Sequence, residues 1–327
     1  MFTFGPIPSR RLGLSLGIHN LPFSTCTFNC IYCQAGPTIH RRVRRGHFFT
    51  SARIAGAVET HLASIGDTAA TVDHLTFVPD GEPTLDRNLG NHIEAVRPLG
   101  IPSAVLTNSA LIDDPVVRAD LARADWVSLK LDGVRTPVWR AINRPHRGLS
   151  LQPVLDGMLA FREMFSGTLV TETMLVAGIN DDPEHLGELA DFLHLLQPEL
   201  AYLTTPIRPP ALPWVAGPDP DALNSAYYIL SGGFERVVCL DSGLPGRIPT
   251  TGSPSEDLVA IATVHPMTRW EVKAFLVRAE RPWELVDALL AEGRLVEVEY
   301  GGTVFYRRPG GRHGLRARPP APAETEP

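Results

Sequence analysis

Three of the four cysteines in this chain crowd into one short loop. Cys26, Cys30 and Cys33 fall within eight positions, spaced Cys-x-x-x-Cys-x-x-Cys, whereas Cys239 lies far away in the sequence. Thiolates are soft ligands that select iron–sulfur clusters, zinc or copper(I). The spacing therefore predicts a metal centre built from a single loop, and the rest of the fold has to support it.

The number of cysteines favours a four-iron cluster with one open corner. A cubane normally has one thiolate for each iron, so three thiolates leave the fourth iron free for a small chelating molecule. Zinc bound by the three thiolates plus His19 or His40 is the alternative, although such sites commonly combine two pairs of ligands and the sequence has no second Cys/His pair of that kind. A disulfide framework is disfavoured because an isolated odd trio cannot pair.

The composition is that of an ordinary globular chain with an acidic balance. Hydrophobic residues make up 44% of the 327 residues, and the formal net charge is −6, which argues against a generally basic nucleic-acid-coating surface. No apolar run approaches the roughly 20 residues needed to cross a bilayer. The N-terminal residues lack the pattern of a signal peptide. Because free thiols require a reducing compartment, we expect a cytoplasmic protein without membrane association.

Strands alternate with helices over the first part of the chain. The N-terminal segment 5–11 is turn-rich and extended, and six strand-like runs follow at residues 12–18, 73–79, 102–107, 126–131, 168–176 and 201–206. Helical patterns lie between them, two of which open with Asp-Asp-Pro, where a carboxylate caps the helix and proline takes its first position. This alternation predicts an α/β fold with parallel pairing, and six units are too few for a closed eight-stranded barrel.

The alternation of strands and helices is interrupted after Pro206. A proline-rich excursion is followed by a helix near residues 221–231 and a strand at 236–240, which finish the first domain, and residues 243–254 have the composition of a linker. Two helices and a hairpin then predict a winged-helix-like domain, with boundaries at residues 267–277, 282–291, 295–300 and 303–307. The predicted domains are residues 1–254, residues 255–308 and a disordered tail at 309–327.

Two motifs resemble the radical S-adenosylmethionine (radical SAM) enzymes. The first is the cysteine loop with the aromatic Tyr32 before its last cysteine, and the second is Gly81-Glu82 after the second predicted strand. On its own Gly-Glu-Pro is merely a turn, and Asp80 stands where the family usually has a first glycine. The resemblance implies an open, partial (β/α)6 TIM-like barrel, one [4Fe–4S] cluster on the three cysteines, and S-adenosylmethionine (SAM) positioned by the Tyr32 backbone, Gly81 and Glu82.

The resemblance also implies a reaction. The open iron of the cluster would chelate the amino and carboxylate groups of SAM. An electron from a flavodoxin- or ferredoxin-type donor would then cleave SAM to methionine and a 5′-deoxyadenosyl radical, which abstracts hydrogen from a substrate.

Polar side chains at predicted strand ends are further candidates for the site. Ser128, Lys130 and Asp132 fall at i, i+2 and i+4, hence on one face of a strand. Inward polar groups are costly unless they meet a ligand or each other, so Lys130 and Asp132 are candidate substrate contacts, with a purely structural Lys–Asp pair as the alternative. By family position Ser128 would touch the ribose of SAM, and Glu172 and Asn108 are additional candidates for cofactor contacts.

Four segments narrow the resemblance to a subgroup labelled wybutosine-synthesis-related. They run from the N-terminal segment to the fifth predicted strand, at residues 5–13, 81–85, 128–132 and 171–176. The tRNA-tricycle-forming enzymes carry a second cluster, which needs three further cysteines, and only Cys239 remains in this chain. The substrate is therefore left open between a tRNA base, a protein and a small molecule.

Charged segments outside the barrel have two interpretations each. The basic run Arg41, Arg42, Arg44 and Arg45 suits phosphate contacts, but such runs are also commonly solvated loops. The predicted helix at 282–291 contains acidic residues and no Lys or Arg, which disfavours a helix that reads DNA. We predict that this unit docks a protein or covers the substrate. A metal-binding regulator, with a closed zinc or cluster site and a winged-helix module, is the competing class.

Overall fold

One eight-stranded sheet dominates the computed structural model, which describes residues 2–240 and 253–309. In chain order the first ten strands are β1 (Thr3–Ser9), β2 (Gly13–Ile18), β3 (Thr25–Cys26), β4 (His40–Arg41), β5 (His74–Phe77), β6 (Ser103–Thr107), β7 (Trp126–Lys130), β8 (Thr168–Met174), β9 (Leu200–Thr204) and β10 (Val237–Cys239). The sheet order is β1-β2-β5-β6-β7-β8-β9-β10, while β3 and β4 pair separately.

At least one helix separates each parallel strand from the next. These helices are α1 (Ser51–Ser64), α2 (Leu89–Val96), α3 (Pro115–Leu121), α4 (Thr136–Asn143), α5 (Leu151–Met164), α6 (Pro183–Leu196) and α7 (Pro220–Gly233). The Asp-Asp-Pro starts are confirmed: Asp114 accepts a hydrogen bond from the Val116 amide, and Asp182 accepts one from the His185 amide. Each of these carboxylates satisfies an otherwise unpaired N–H of the first helical turn.

The six predicted strands are all present, and they pair in parallel from β2 through β9, with β10 added at the end. The N-terminal segment forms β1, antiparallel to β2, rather than only an extended lead-in. Its Pro6 and Pro8 are tolerated because β1 is an edge strand of the sheet, where a missing N–H breaks no internal ladder.

Side chains alternate between the two faces of the sheet. Val127 and Leu129 pack into the large core that the sheet shares with helices such as α6, represented by Leu189. Their neighbour Trp126 packs with Val170 and Tyr202 in a separate cluster on the opposite, inner face. The predicted alternation on β7 is therefore confirmed, and Ser128 and Lys130 lie on the inner face by the same period of two.

A second, smaller unit follows residue 253. It comprises α8 (Pro254–Val264), β11 (Met267–Thr268), α9 (Arg269–Arg278), α10 (Glu284–Ala291), β12 (Val296–Tyr300) and β13 (Thr303–Arg307), with a sheet of order β11-β13-β12. The unit has its own core around Phe275 and Tyr306. Helix α8 was not predicted, and α9 begins two residues later than predicted because Thr268 caps it in a capping box with Glu271.

Two predicted features fall mainly outside the described residues. The linker at 243–254 is described only for its last two residues, and the tail at 309–327 only for Pro309. In the part of the chain that is described, every helix is too short or too polar to cross a bilayer.

The eight-stranded sheet and helices α1 to α7 are called the barrel below. The small unit is attached to it by a few polar contacts and by the packing of α8 against the edge strand β1. Helix α8 lies against β1, and Ile7 joins the core of the small unit. Arg208, in the proline-rich segment after β9, donates to the Pro266 carbonyl and pairs with Glu271 at 3.1 Å. The hydroxyl of Tyr300 donates to the Pro206 carbonyl at 2.9 Å.

Candidate metal centre and active site

The cysteine loop is organised by its own backbone and by the segment that follows it. Strand β3 pairs in parallel with β4, so that Cys26 lies opposite Arg41, and the Arg42 amide donates to the Cys26 carbonyl at 2.9 Å. Thr38 fixes the middle of the loop, because its hydroxyl donates to the Phe28 carbonyl at 2.7 Å. The loop is therefore shaped by hydrogen bonds within the chain.

The three thiols are partly buried, unpaired by disulfides and electrostatically coupled. Burial raises the pKa of Cys30 to about 11 and that of Cys33 to about 12, and it raises the pKa of Cys26 well above its ordinary value. For Cys33 the neighbouring Cys30 adds to the effect of burial. The ionised form of these three thiols therefore has to be stabilised by a neighbouring cation. The irons of an iron–sulfur cluster would provide that charge, because a thiol that coordinates a metal is deprotonated outright.

The arrangement does not suit a single metal ion. Among residues 2–240 and 253–309, no group of three or more His, Cys, Asp or Glu side chains is placed to bind one ion. Thiolates on one zinc lie about 4 Å apart, because each Zn–S bond is about 2.3 Å. His19 packs against the Phe4 ring at a centroid distance of 4.7 Å. In the described residues, neither His19 nor His40 is grouped with the three cysteines to form a site for one ion.

Gly81 joins the second motif to the cysteine loop. It lies just beyond β5, forms a parallel bridge with Thr25, and has a φ of +153°. The Glu82 amide donates to the Thr25 carbonyl at 3.1 Å. A Cβ on Gly81 would lie 1.9 Å from that same carbonyl oxygen, so only glycine permits this approach. The close approach forms a narrow backbone cradle beside the thiols.

The carboxylate of Glu82 is buried and fully engaged within the chain. Only 1% of the residue is exposed. It accepts hydrogen bonds from the Thr107 hydroxyl at 2.6 Å and the Asn108 amide at 2.7 Å, and also from the amide and hydroxyl of Thr84. Burial raises its pKa, and these hydrogen bonds oppose the rise. Glu82 thus ties the ends of β5 and β6 together.

Two asparagine amides point at cluster cysteines. The side-chain amide of Asn108 donates to the Cys26 sulfur at 3.4 Å and to the Thr27 hydroxyl at 2.7 Å. The amide of Asn143, at the end of α4, lies 3.5 Å from the Cys30 sulfur. Hydrogen bonds to the sulfurs are among the factors that set cluster potentials.

Asp132 anchors the last cysteine segment to the barrel. Its carboxylate is 2% exposed and accepts from the Tyr32 hydroxyl, the Asn143 amide at 2.6 Å and the Met174 backbone amide at 2.8 Å. Every strong contact is made inside the chain, so Asp132 holds Tyr32 in position. The predicted structural pairing with Lys130 is secondary, at 3.8 Å.

Lys130 and Arg11 share one carboxylate. The Lys130 ammonium lies 2.8 Å from Glu172 and 5.0 Å from the centre of the Tyr32 ring. Arg11, from the turn between β1 and β2, pairs with the other oxygen of Glu172, and its Nε is buried without a hydrogen-bond partner among the described residues. Burial lowers the pKa of Lys130 and lowers that of Arg11 to about 10. Two cations thus share the single Glu172 carboxylate, and the Asp132 carboxylate lies 3.8 Å from Lys130.

A cavity of about 740 Å³ lies between the barrel and the small unit. Six of the predicted site residues line it, namely Cys26, Cys33, Tyr32, Gly81, Lys130 and Glu172. The other five, Cys30, Glu82, Asn108, Ser128 and Asp132, are not among its lining residues. The predicted residues thus divide into those that face the cavity and those that lie behind it.

The opposite wall comes mainly from the small unit, for which the sequence predicts protein docking or substrate covering without indicating which residues would face the barrel. Trp270, Ala274 and Arg278, at i, i+4 and i+8 of α9, line the cavity together with Arg208 and Glu271. Trp270 is 60% exposed. The i, i+4, i+8 spacing marks one helix face, but nothing in the sequence indicated that this face covers the barrel.

Two further residues, Asn143 and Arg11, contribute to the site but were not predicted from the sequence. Asn143 is a single amide more than a hundred residues from the cysteines, and only the position of α4 brings it to Cys30. Arg11 lies in a segment that carried the family resemblance, but its pairing with Glu172 depends on the order of the strands.

This geometry agrees with the family comparison. The Radical SAM superfamily model matches residues 20–193, more than half of the chain, and the chain belongs to this superfamily of enzymes. The superfamily uses a [4Fe–4S] cluster and SAM, and Cys26, Cys30 and Cys33 fit its cysteine motif. The predicted family and the enzyme class are confirmed.

Individual relatives extend this result. The chain is 39% identical over 308 residues to UPF0026 protein MJ1312 of Methanocaldococcus jannaschii, an alignment that covers 94% of this chain and 95% of the relative. Among solved structures it is similar to TYW1 with a lysine–pyruvate adduct bound, with a TM-score of 0.55 at 17% identity over 72% of this chain and 78% of TYW1. It is also similar to Streptococcus suis SuiB bound to S-adenosylmethionine, with a TM-score of 0.52 at 16% identity over 70% and 50% of the two chains. At such identities the structures share the fold alone.

Proposed function

We propose that this enzyme binds one [4Fe–4S] cluster through Cys26, Cys30 and Cys33, binds SAM beside Gly81, and abstracts hydrogen from a substrate held in the adjoining cavity. One observation carries the proposal. Two cluster thiols, the Gly81 cradle and the Lys130–Glu172 pair all face the same cavity of about 740 Å³. Such a volume suits one or two small ligands, since ligand pockets typically measure about 300–1,000 Å³.

The residues of the chain orient and shield the bound groups. When bound, the cluster and SAM supply a 5′-deoxyadenosyl radical after one-electron reduction. The backbone at Tyr32 and Gly81 positions SAM, Glu82 holds that backbone in place, and Asn108, Ser128 and Glu172 are the remaining candidates for cofactor contacts. Because Asp132 is occupied by three donors, it acts as a positioning residue for Tyr32, which leaves Lys130 as the candidate for substrate contact.

The small unit covers the site. Its order of helix, short strand, two helices and a hairpin supports a winged-helix-like domain that begins near residue 255. Its α9 face forms one wall of the cavity, which supports the predicted role as a substrate cover rather than a reader of DNA. Water exclusion protects a reactive intermediate from side reactions.

The cavity also constrains the substrate. Arg11 and Lys130 share Glu172 on the barrel wall, while Arg208 and Glu271 balance each other on the opposite wall. Counting every charged residue in the lining, five Arg or Lys side chains face three carboxylates, of which Asp80 is the third. This excess of positive charge favours a substrate with a carboxylate or phosphate group, and exposed Trp270 offers a flat apolar surface. A tRNA or protein substrate would insert only one base or side chain into this volume. The free thiols still favour a reducing, cytoplasmic setting for such a reaction.

Anaerobic reconstitution tests the proposal. We expect about four irons and four sulfides per chain, and 5′-deoxyadenosine after reduction in the presence of SAM. Alanine variants of Cys26, Cys30 and Cys33 should lose both, while Cys239→Ala, the same change on exposed β10, should keep both. A colourless protein that binds one zinc and releases no 5′-deoxyadenosine would refute the proposal. Deuterium transfer from candidate substrates into 5′-deoxyadenosine would then identify the substrate.

A further inference from the structure

The solvent side of the cysteine loop carries a concentration of arginines that the proposed reaction does not use. We call Arg41, Arg42, Arg44 and Arg87 the basic face. Strand β4 brings Arg41 opposite Cys26, and the Arg42 amide donates to the Cys26 carbonyl at 2.9 Å. Beside it a shallow, open pocket of about 520 Å³ is lined by Arg42, Val43, Arg44, Arg45, Arg87 and Asp114. The basic face is therefore one hydrogen bond away from a cluster ligand.

The arginines of this region differ in their partners. Arg45 is structural, because it pairs with Asp120 and donates to the carbonyls of Thr84 and Asp86. The four arginines of the basic face form no ion pair with any carboxylate in the described ranges. Arg42 lies over the Phe48 ring at 5.3 Å. The one acid in the pocket, Asp114, already caps α3. The basic face is therefore a positively charged patch on a chain whose formal net charge is −6.

The basic face and the cavity lie on different sides of the loop. No residue of the basic face is among those that line the cavity, whereas Cys26 both lines the cavity and pairs with β4. A macromolecule that binds the basic face therefore contacts residues other than those that line the cavity. It would also lie close to the cysteine loop.

We propose that the basic face docks an acidic one-electron carrier protein of the flavodoxin or ferredoxin type. The inference rests on the proposed function, which requires one electron from outside the chain for each cleavage of SAM: the donor loses one electron and the cluster gains one. Complementary charge raises the association rate of such transient partners and fixes their orientation. RNA could also bind to arginines, but the basic face backs directly onto the loop where the electron must arrive.

The double variant Arg44→Glu/Arg87→Glu tests the docking surface. Both side chains are exposed and make no described polar contact, so the fold should persist. The matched control is Lys273→Glu/Arg281→Glu, which makes the same change of charge at exposed positions of the small unit. The probe is a purified flavodoxin, titrated against each reconstituted, full-length protein at low and high salt. A second measurement compares SAM cleavage driven by reduced flavodoxin with cleavage driven by dithionite.

We expect the basic-face variant to bind flavodoxin at least tenfold more weakly at low salt, with a smaller salt dependence than the parent. Its flavodoxin-driven cleavage should fall in proportion, while dithionite-driven cleavage and the control variant stay at the parent level. Unchanged flavodoxin affinity and rate would overturn the proposal. Loss of tRNA binding with flavodoxin binding intact would assign the face to nucleic acid instead. Absence of dithionite-driven cleavage in the parent would count against the proposed function, while the titration still decides the docking surface.

Discussion

The two walls of the cavity are held in very different ways. Directly behind the barrel wall, Glu82 and Asp132 are buried, and each accepts at least three hydrogen bonds from within the chain. On the opposite wall, the small unit is attached by the Arg208–Glu271 pair, the Tyr300 hydroxyl and the packing of α8 on β1. The barrel wall is preorganised, whereas the small unit is attached through a few separable contacts.

The difference has a functional meaning. Groups that position a cofactor have to be fixed to within a fraction of an ångström, which requires buried and satisfied supports. A cover has to admit the substrate, so it is drawn from less strongly coupled parts of a structure. Substitutions in the barrel should therefore damage both stability and cluster binding, whereas substitutions at the contacts of the small unit should lower stability and leave cluster binding intact.

Gly81→Ala should have the largest effect. The new Cβ would lie 1.9 Å from the Thr25 carbonyl and would hold a strained positive φ, so the cysteine loop has to move. We expect a loss of more than about 3 kcal/mol in the free energy of unfolding, together with loss of reconstituted iron. The control is Gly178→Ala, also at positive φ but with open space around it, where strain alone costs about 1–2 kcal/mol. Equal iron content in the two variants would contradict the proposed cradle.

Asn143→Ala removes a donor shared by Asp132 and Cys30. Leaving a buried carboxylate short of a donor costs about 1–3 kcal/mol, measurable by urea unfolding. Loss of the N–H···S contact should also lower the reduction potential of the cluster, by up to about 65 mV if it is worth about 1.5 kcal/mol. Gln152→Ala, which removes an exposed amide bonded to Asp156, should change neither quantity appreciably. An unchanged potential would show that Asn143 has only a structural role.

Glu271→Gln tests the attachment of the small unit. Burial raises the pKa of Glu271, but the hydrogen bond from His265 and the charge of Arg208 outweigh it, so the net pKa lies well below the ordinary range. Since the folded-state pKa is depressed, the ionised form stabilises the protein fully above the unfolded value of about 4.3 and progressively less as the pH falls below it.

We therefore expect the variant to be less stable by about 1–2 kcal/mol at pH 7, because it loses charge-assisted hydrogen bonds. The difference from the parent should shrink below about pH 4.3. Thermal unfolding at several pH values measures both effects. Glu256→Gln, which breaks an exposed pair with Arg294, should cost less than about 1 kcal/mol. A Glu271→Gln difference that stays constant with pH would contradict this account.

Tyr300→Phe should have the smallest effect. It removes one hydroxyl that donates to the Pro206 carbonyl at 2.9 Å, worth about 0.5–1.5 kcal/mol. Amide hydrogen exchange should rise in the proline-rich segment near residues 206–215 and stay unchanged around the cysteine loop. Tyr228→Phe, at a tyrosine that is 73% exposed, serves as the control. Faster exchange around the cysteine loop would show that the two walls are coupled after all.

Most strands and helices of the barrel were predictable from short-range sequence patterns. Alternating apolar runs and the caps at Asp114 and Asp182 are readable because their causes lie within a few residues. Strand β1 was missed since Pro6 and Pro8 argue against a strand, and its pairing with β2 is a tertiary contact that the local sequence does not show. Helix α8 was missed as well, next to a linker-like composition.

The candidate site was predictable where a compact motif marks it. Cys26 and Gly81 lie within recognisable motifs, but the contact that joins them depends on the neighbouring strands β2 and β5. The partner of Lys130 was expected to be Asp132, two residues along the chain. Glu172 is nearer because Lys130 and Glu172 lie opposite each other across β7 and β8, and register between strands is a tertiary property.

The bridge between Thr25 and Gly81 has a consequence for biogenesis. Since β2 and β5 must already be adjacent for the bridge to form, the thiols acquire their arrangement only after the first two βα units have assembled. Iron delivery should then follow polypeptide maturation instead of driving it, in contrast to zinc fingers, which remain unfolded without metal. The apoprotein would therefore fold with its cluster site already formed before iron is delivered.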